Sequence, residues 1–136
     1  MAQPISGSCL CEKVKFQISE PFLQFYLCHC SRCQKSSGSA HAANIFVEPE
    51  SIKWISGKEL TKAYVLSNCS SFNKSFCVEC GSPTPVKAKS GEFVIVPAGA
   101  LNEVPVMKLQ RNIFWKDRAQ WFEEGCNAIK YEEYPP

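Results

Sequence analysis

The spacing of the cysteines constrains this chain more than any other feature. Seven of the nine cysteines form three clusters: Cys9 and Cys11 (C-x-C), Cys28, Cys30 and Cys33 (C-x-C-x-x-C), and Cys77 and Cys80 (C-x-x-C). Closely spaced thiolates are typical zinc ligands, with a Zn–S distance of about 2.3 Å. An odd number of cysteines argues against complete disulfide pairing, and a disulfide across one intervening residue is strained. The clusters therefore predict metal sites.

The numbers of ligands favour two separate sites. The two pairs, Cys9/Cys11 and Cys77/Cys80, together supply four thiolates, which is the pattern of a closed structural zinc site. Gly81 follows the second pair and permits the positive φ of a tight metal-binding turn. The triplet Cys28, Cys30 and Cys33 supplies three thiolates, which leaves a fourth position for water or substrate, as in catalytic zinc sites.

Spacing alone equally permits a triplet site that a fourth protein ligand closes. The candidates for that ligand are His29, His41 and Cys69. His29 lies between two of the cysteines, so we expect its side chain to point away from a metal held by Cys28 and Cys30. At this point the sequence leaves open whether the triplet site is closed or open.

The composition limits the other classes of function. The chain has 136 residues, 45% of them hydrophobic, so we expect one domain over residues 1–136 with its own core. A formal net charge of +2, without a stripe of Lys and Arg, argues against a nucleic-acid partner. We expect no membrane partner and no secretory signal, because no apolar run has the required length. A cytoplasmic location follows, where thiols stay reduced.

The hydrophobic pattern predicts a mainly β fold of short antiparallel strands. Residues 14–18 alternate between apolar and polar side chains, residues 93–96 form a buried strand, and turn signals recur about every ten residues. Pro83 predicts an edge strand. Single helical turns are expected after Cys30, with Ser31 as N-cap, and within residues 117–122. We place the three tryptophans, Trp54, Trp115 and Trp121, in the core.

The motifs resemble those of the glutathione-dependent formaldehyde-activating enzyme (GFA) family, which includes the centromere protein V-like proteins. The resemblance rests on Gly7-Ser8-Cys9-Leu10-Cys11, Cys28-His29-Cys30-Ser31-Arg32-Cys33-Gln34-Lys35 and Phe76-Cys77-x-x-Cys80-Gly81-Ser82-Pro83. It implies a β-tent-like fold with zinc knuckles and two Zn²⁺ ions per chain. The structural zinc would be held by Cys9, Cys11, Cys77 and Cys80, and the catalytic zinc by Cys28, Cys30 and Cys33. Asn102 and Asn112 stand where the family usually has Asp and His.

The resemblance also implies a carbon–sulfur lyase activity. The reaction joins glutathione, or a similar small thiol, to formaldehyde and gives S-(hydroxymethyl)glutathione. Arg32 and Lys35, with the amides near Gly38 and Ser39, are the candidates for holding the carboxylates of the thiol. The alternative is a non-enzymatic two-zinc module that binds protein or nucleic acid.

Overall fold

The computed structural model describes residues 3–69 and 71–136. Two short α-helices, α1 (Ser31–Ser37) and α2 (Gln120–Asn127), accompany the strands of this part of the chain. The strands are β1 (Ile5–Ser8), β2 (Lys15–Ile18), β3 (Phe22–Cys28), β4 (Ala42–Val47), β5 (Ile52–Ser56), β6 (Thr61–Val65), β7 (Asn73–Cys77), β8 (Pro83–Thr84), β9 (Val86–Lys87), β10 (Val94–Pro97) and β11 (Arg111–Ile113). The predicted mainly β, tent-like class is confirmed.

The strands form three small sheets. Their orders are β1-β2-β5, β11-β3-β4-β10-β9 and β6-β7-β8. Strand β8, which contains Pro83, lies at the edge of its sheet, as predicted. Pairing is antiparallel except between β11 and β3, which run parallel. The expectation of purely antiparallel strands is wrong here, because a long connection delivers β11 to the edge of β3 and no hairpin sets its direction.

The main core lies between the first two sheets. Phe16 and Ile18 of β2 pack against Ile45 and Val47 of β4, and all four side chains are at most 1% exposed. The alternation of β2 places its apolar residues on this inner face. Gly7 of β1 lies directly against the ring of Phe16, where a Cβ atom would overlap with three ring carbons. The core therefore brings β1, and the cysteines that follow it, against the rest of the fold.

Helix α1 begins at Ser31, but its N-cap is Cys30 and not Ser31, so that prediction is wrong. The amide of Cys33 donates to Cys30 Sγ at 3.4 Å, which replaces the hydroxyl cap. Gly38 ends the helix in the left-handed conformation, with φ of 67°. The sulfur that caps the helix belongs to the cysteine triplet, so the helix and the triplet are one local structure.

The C-terminal segment is more helical and more exposed than predicted. Helix α2 has eight residues, where a single turn was expected. The core prediction holds for Trp54, which packs against the core, but is wrong for Trp121, which is 57% exposed, and for Trp115, at 37%. Both rings belong to residues 111–136, none of which is buried. No helix in the described residues is long and apolar enough to cross a membrane.

Candidate metal centres and their cavity

The first centre joins two distant turns. Cys9 and Cys11 lie in the turn after β1, while Cys77 ends β7 and Cys80 lies in the next turn. Their four sulfur atoms all lie within 4.8 Å of one another. The amide of Val14 donates to Cys9 Sγ at 3.3 Å. The four cysteines predicted as structural ligands are therefore brought together.

The spacing of these sulfurs fits a tetrahedral zinc site. A tetrahedron with Zn–S bonds of about 2.3 Å separates its sulfurs by about 3.8 Å. The Sγ atoms of Cys9 and Cys11 are 3.5 Å apart, and those of Cys11 and Cys77 are 3.9 Å apart. Gly81 has φ of 76°, as the tight turn requires, and its amide donates to the Cys77 carbonyl at 2.7 Å. The donor set and the geometry both fit the metal.

The second centre is built on one local turn. Cys28 is the last residue of β3, Cys30 caps α1, and Cys33 lies within that helix. Their sulfurs also lie within 4.8 Å of one another, and no fourth ligand side chain from residues 3–69 or 71–136 joins them. Three thiolates with one free position fit zinc in the arrangement of a catalytic site.

The three residues that the sequence offers as a fourth ligand lie outside the group of three sulfurs. Cys69 Sγ accepts a hydrogen bond from Arg32 Nη1 at 3.1 Å and is not part of the triplet. The ring of His29 points away from the sulfurs, as predicted: its Nε2 lies 2.9 Å from Asn112 Oδ1. His41 stacks edge-on against His29, with ring centroids 5.3 Å apart, and also lies outside the sulfur group.

The C-terminal segment packs against residues that flank the cysteines of the triplet. The ring of His29 is fully buried and packs edge-on against Trp115 and Phe122, each with centroids 5.0 Å away. Gln34 Nε2 donates to the carbonyl oxygens of His29 at 2.7 Å and Asp117 at 3.0 Å. The sequence alone did not predict this support.

The pKa values of Cys28 and Cys33 are shifted in opposite directions. A hydrogen bond from Cys33 lowers the pKa of Cys28 to about 6, and the amide of Cys30 contributes as well. The same bond with Cys28, together with burial, raises the pKa of Cys33. The Cys28 thiolate therefore forms readily at neutral pH, whereas Cys33 keeps its proton unless a cation binds.

A cavity of about 850 Å³ opens in front of the triplet. Its floor is the second sheet's outer face, where Tyr26 and Cys28 of β3, Phe46 of β4 and Ile95 of β10 alternate with core residues. Cys33 and His41 line the same end. Cys28 and Cys33 are both only 7% exposed and line this cavity, whereas Cys30 is partly exposed and does not line it. Two of the three cysteines of the triplet therefore lie in the wall of a partly open cavity.

The residues predicted to bind the substrate lie close to the triplet but outside the cavity wall. Arg32 and Lys35 are on α1, and Gly38 and Ser39 follow it. None of the four belongs to the described residues that line the cavity. Their part in holding a substrate stays a prediction. The residues that do line it include Asn102, which stands where the family usually has Asp, and Lys74.

Fold and site together define a mainly β protein with two cysteine centres, each able to hold a metal ion. The sequence model of the glutathione-dependent formaldehyde-activating enzyme family matches residues 4–117, and the chain belongs to this family. No curated protein sequence gives a significant match. The fold is similar to the crystal structure of a Rhodobacter sphaeroides protein from a structural genomics programme. That match has a TM-score of 0.59 and 22% identity, and covers 79% of this chain and 98% of the other.

Proposed function

We propose that the chain is a zinc-dependent carbon–sulfur lyase that joins a small thiol, glutathione in the family's description, to formaldehyde. The observation that carries this proposal is the open triplet: three cysteine ligands, two of which line the cavity. The four-cysteine centre has a structural role, since it links the turn after β1 to the end of β7. Two Zn²⁺ ions per chain follow from the two ligand sets.

The reaction needs no oxidant or reductant. The thiol sulfur forms a bond to the aldehyde carbon, the π pair of the carbonyl moves to its oxygen, and the proton lost by the thiol ends on that oxygen. A zinc ion held by the triplet would supply positive charge that lowers the pKa of a bound thiol. Cys28, Cys30 and Cys33 would hold the ion, and the cavity beside them leaves room for the thiol.

His41 is suited to carry the proton between the two substrates. It lines the cavity at the same end as Cys28 and Cys33. Burial, and then the neighbouring His29, lower the pKa of its imidazole. A histidine with a pKa below about 6.5 is neutral at pH 7 and can accept a proton. His41 would take the proton of the thiol and return it to the aldehyde oxygen.

Exchange spectroscopy on a mixture of glutathione and formaldehyde tests the activity. The uncatalysed reaction has a measurable rate, and this rate is the background of the assay. Zinc-loaded wild-type protein should accelerate formation of the S-hydroxymethyl adduct, a thiohemiacetal. Cys33→Ser should lose the acceleration, and His41→Gln should lower it about 10²-fold. Cys126→Ser is the matched control, since Cys126 is exposed and outside both centres. Equal rates with and without protein, for glutathione and for other small thiols alike, would reject the lyase and favour the non-enzymatic module.

A further inference from the structure

The wall of the cavity is mostly apolar. Tyr26 and Phe46 lie side by side on its floor, with ring centroids 6.1 Å apart, and Ile95 extends that floor. Phe72 and Val86 line it as well. Its volume of about 850 Å³ lies near the upper end of the range for small-molecule sites, about 300–1,000 Å³. Formaldehyde, with two heavy atoms, fills little of this space, so most of it must be occupied by the thiol.

Few charges face this space. Among the described residues that line it, Lys74 is the one lysine or arginine and Glu12 the one carboxylate. Lys74 Nζ donates to the carbonyl of Ser36 at 2.7 Å, which holds the ammonium against α1 and close to the triplet. An ammonium has three donors, so two remain for a ligand.

Glutathione fits this wall poorly. It carries two carboxylates and one ammonium at neutral pH, and each charge placed against an apolar wall without a partner costs free energy. One carboxylate can reach Lys74, whereas the second finds no further lysine or arginine among the described lining residues. Glutathione, in turn, has no large apolar group that could pack on the apolar floor of the cavity.

We propose that the thiol substrate has an apolar, aromatic-sized body and a single carboxylate. Its sulfur reaches the triplet, its body lies on the floor formed by Tyr26 and Phe46, and its carboxylate pairs with Lys74. This inference rests on the proposed function, since it takes the triplet as the site where the thiol binds.

Calorimetry with three thiols on zinc-loaded protein tests the inference. The probes are glutathione, benzyl mercaptan, and 4-(mercaptomethyl)benzoate, which combines the apolar ring with one carboxylate. We expect the benzoate to bind at least about tenfold more tightly than glutathione, with benzyl mercaptan between them. This ranking needs no variant and is measured on the protein as it exists.

Variants test whether the ranking of the three thiol affinities arises from the cavity. Phe46→Ala should weaken both aromatic thiols about tenfold and leave glutathione nearly unchanged. Lys74→Met should remove the advantage of the benzoate over benzyl mercaptan, while Arg32→Ala with Lys35→Ala should leave it intact. Zinc content and circular dichroism show that each variant is folded.

The outcomes separate this inference from the proposed function. Glutathione binding as tightly as the benzoate, or a preference that depends on Arg32 and Lys35, would overturn the apolar substrate and leave the lyase intact. If none of the three thiols binds while both zinc ions are present, the triplet does not accept a thiol, and the proposed function fails together with the inference.

Discussion

His29 Nε2 lies 2.9 Å from Asn112 Oδ1, and this bond joins the cysteine triplet to β11 across 83 residues of sequence. With Asn112 Oδ1 as the acceptor, the proton of the imidazole is on Nε2. The amide of His29 also donates to the carbonyl of Ile113 at 3.0 Å. His29, which lies between two of the candidate metal ligands, therefore has a structural role: it holds the turn that carries them in place.

Asn112→Ala should destabilise the protein by about 1 kcal/mol, because it removes the partner of a fully buried imidazole nitrogen. The loss stays at the lower end of the usual range since Asn112 itself is exposed and water can replace part of the bond. Thermal unfolding measures it. Asn127→Ala is the control, because that amide donates to Glu123 on the exposed helix α2. Equal melting temperatures for the two variants would mean that the bond adds no stability.

Cys77→Ser should destabilise the domain by at least about 3 kcal/mol, because zinc binding between distant segments is part of the folding free energy. Cys77 is fully buried, and its centre connects β1 with β7. Circular dichroism during heating, with zinc analysis of the same sample, measures the effect. Cys126→Ser should melt like the wild type. A Cys77→Ser variant with the wild-type melting temperature would show that the four-cysteine centre is not structural.

Gly7→Ala should cost about 1–3 kcal/mol, because the new Cβ would overlap with the ring of Phe16, which is buried and has no room to move. Gly125→Ala is a matched control: nothing lies within 4 Å of its Cβ position, and it is inside α2. That change should be neutral or stabilise by up to about 1 kcal/mol. Chemical denaturation of both variants decides the prediction, and a neutral Gly7→Ala would contradict the close contact between β1 and β2.

Cys69 should be the thiol outside the two centres that alkylating reagents modify fastest. Hydrogen bonds from the amide and hydroxyl of Ser71 lower its pKa to about 7, with a smaller effect of the Arg32 guanidinium. The thiolate is the reactive form, so the rate should rise with pH and reach half its maximum near pH 7. Mass spectrometry of the zinc-loaded protein compares Cys69 with Cys126 in the same sample. Ser71→Ala should move the midpoint to higher pH. A rate at Cys69 that keeps rising well above pH 8, as for an ordinary thiol, would contradict this environment.

The sequence predicts both ligand sets because the signal is local. Each cluster places its thiols within one turn, and such spacing has few uses other than metal binding. The glycine after Cys80 and the edge strand at Pro83 follow from backbone constraints of single residues, and they are confirmed for the same reason. The orientation of His29 is confirmed because alternate residues of an extended segment point to opposite sides.

The parts that depend on long-range contacts were not predicted. The position of β11 beside β3 depends on Asn112 and Gln110, polar residues without a periodic pattern, and on the backbone bond from Gln110 to the Phe25 carbonyl. The exposure of Trp121 follows from the same docking, which covers only one side of α2. The cap of α1 was assigned to Ser31 because propensities favour a hydroxyl, whereas the structure uses the sulfur of Cys30.

The proposed lyase requires that the triplet site accept a thiol at its free position. It is tested most directly by calorimetric titration of 4-(mercaptomethyl)benzoate into zinc-loaded protein, in buffers of different ionisation enthalpy. We expect two zinc ions per wild-type chain and one thiol bound, with release of about one proton at neutral pH as the thiol becomes a thiolate. Cys33→Ser should keep one zinc and lose the thiol. Thiol binding that persists in Cys33→Ser, or a zinc-loaded wild type that binds no thiol, would show that the triplet is not the thiol site.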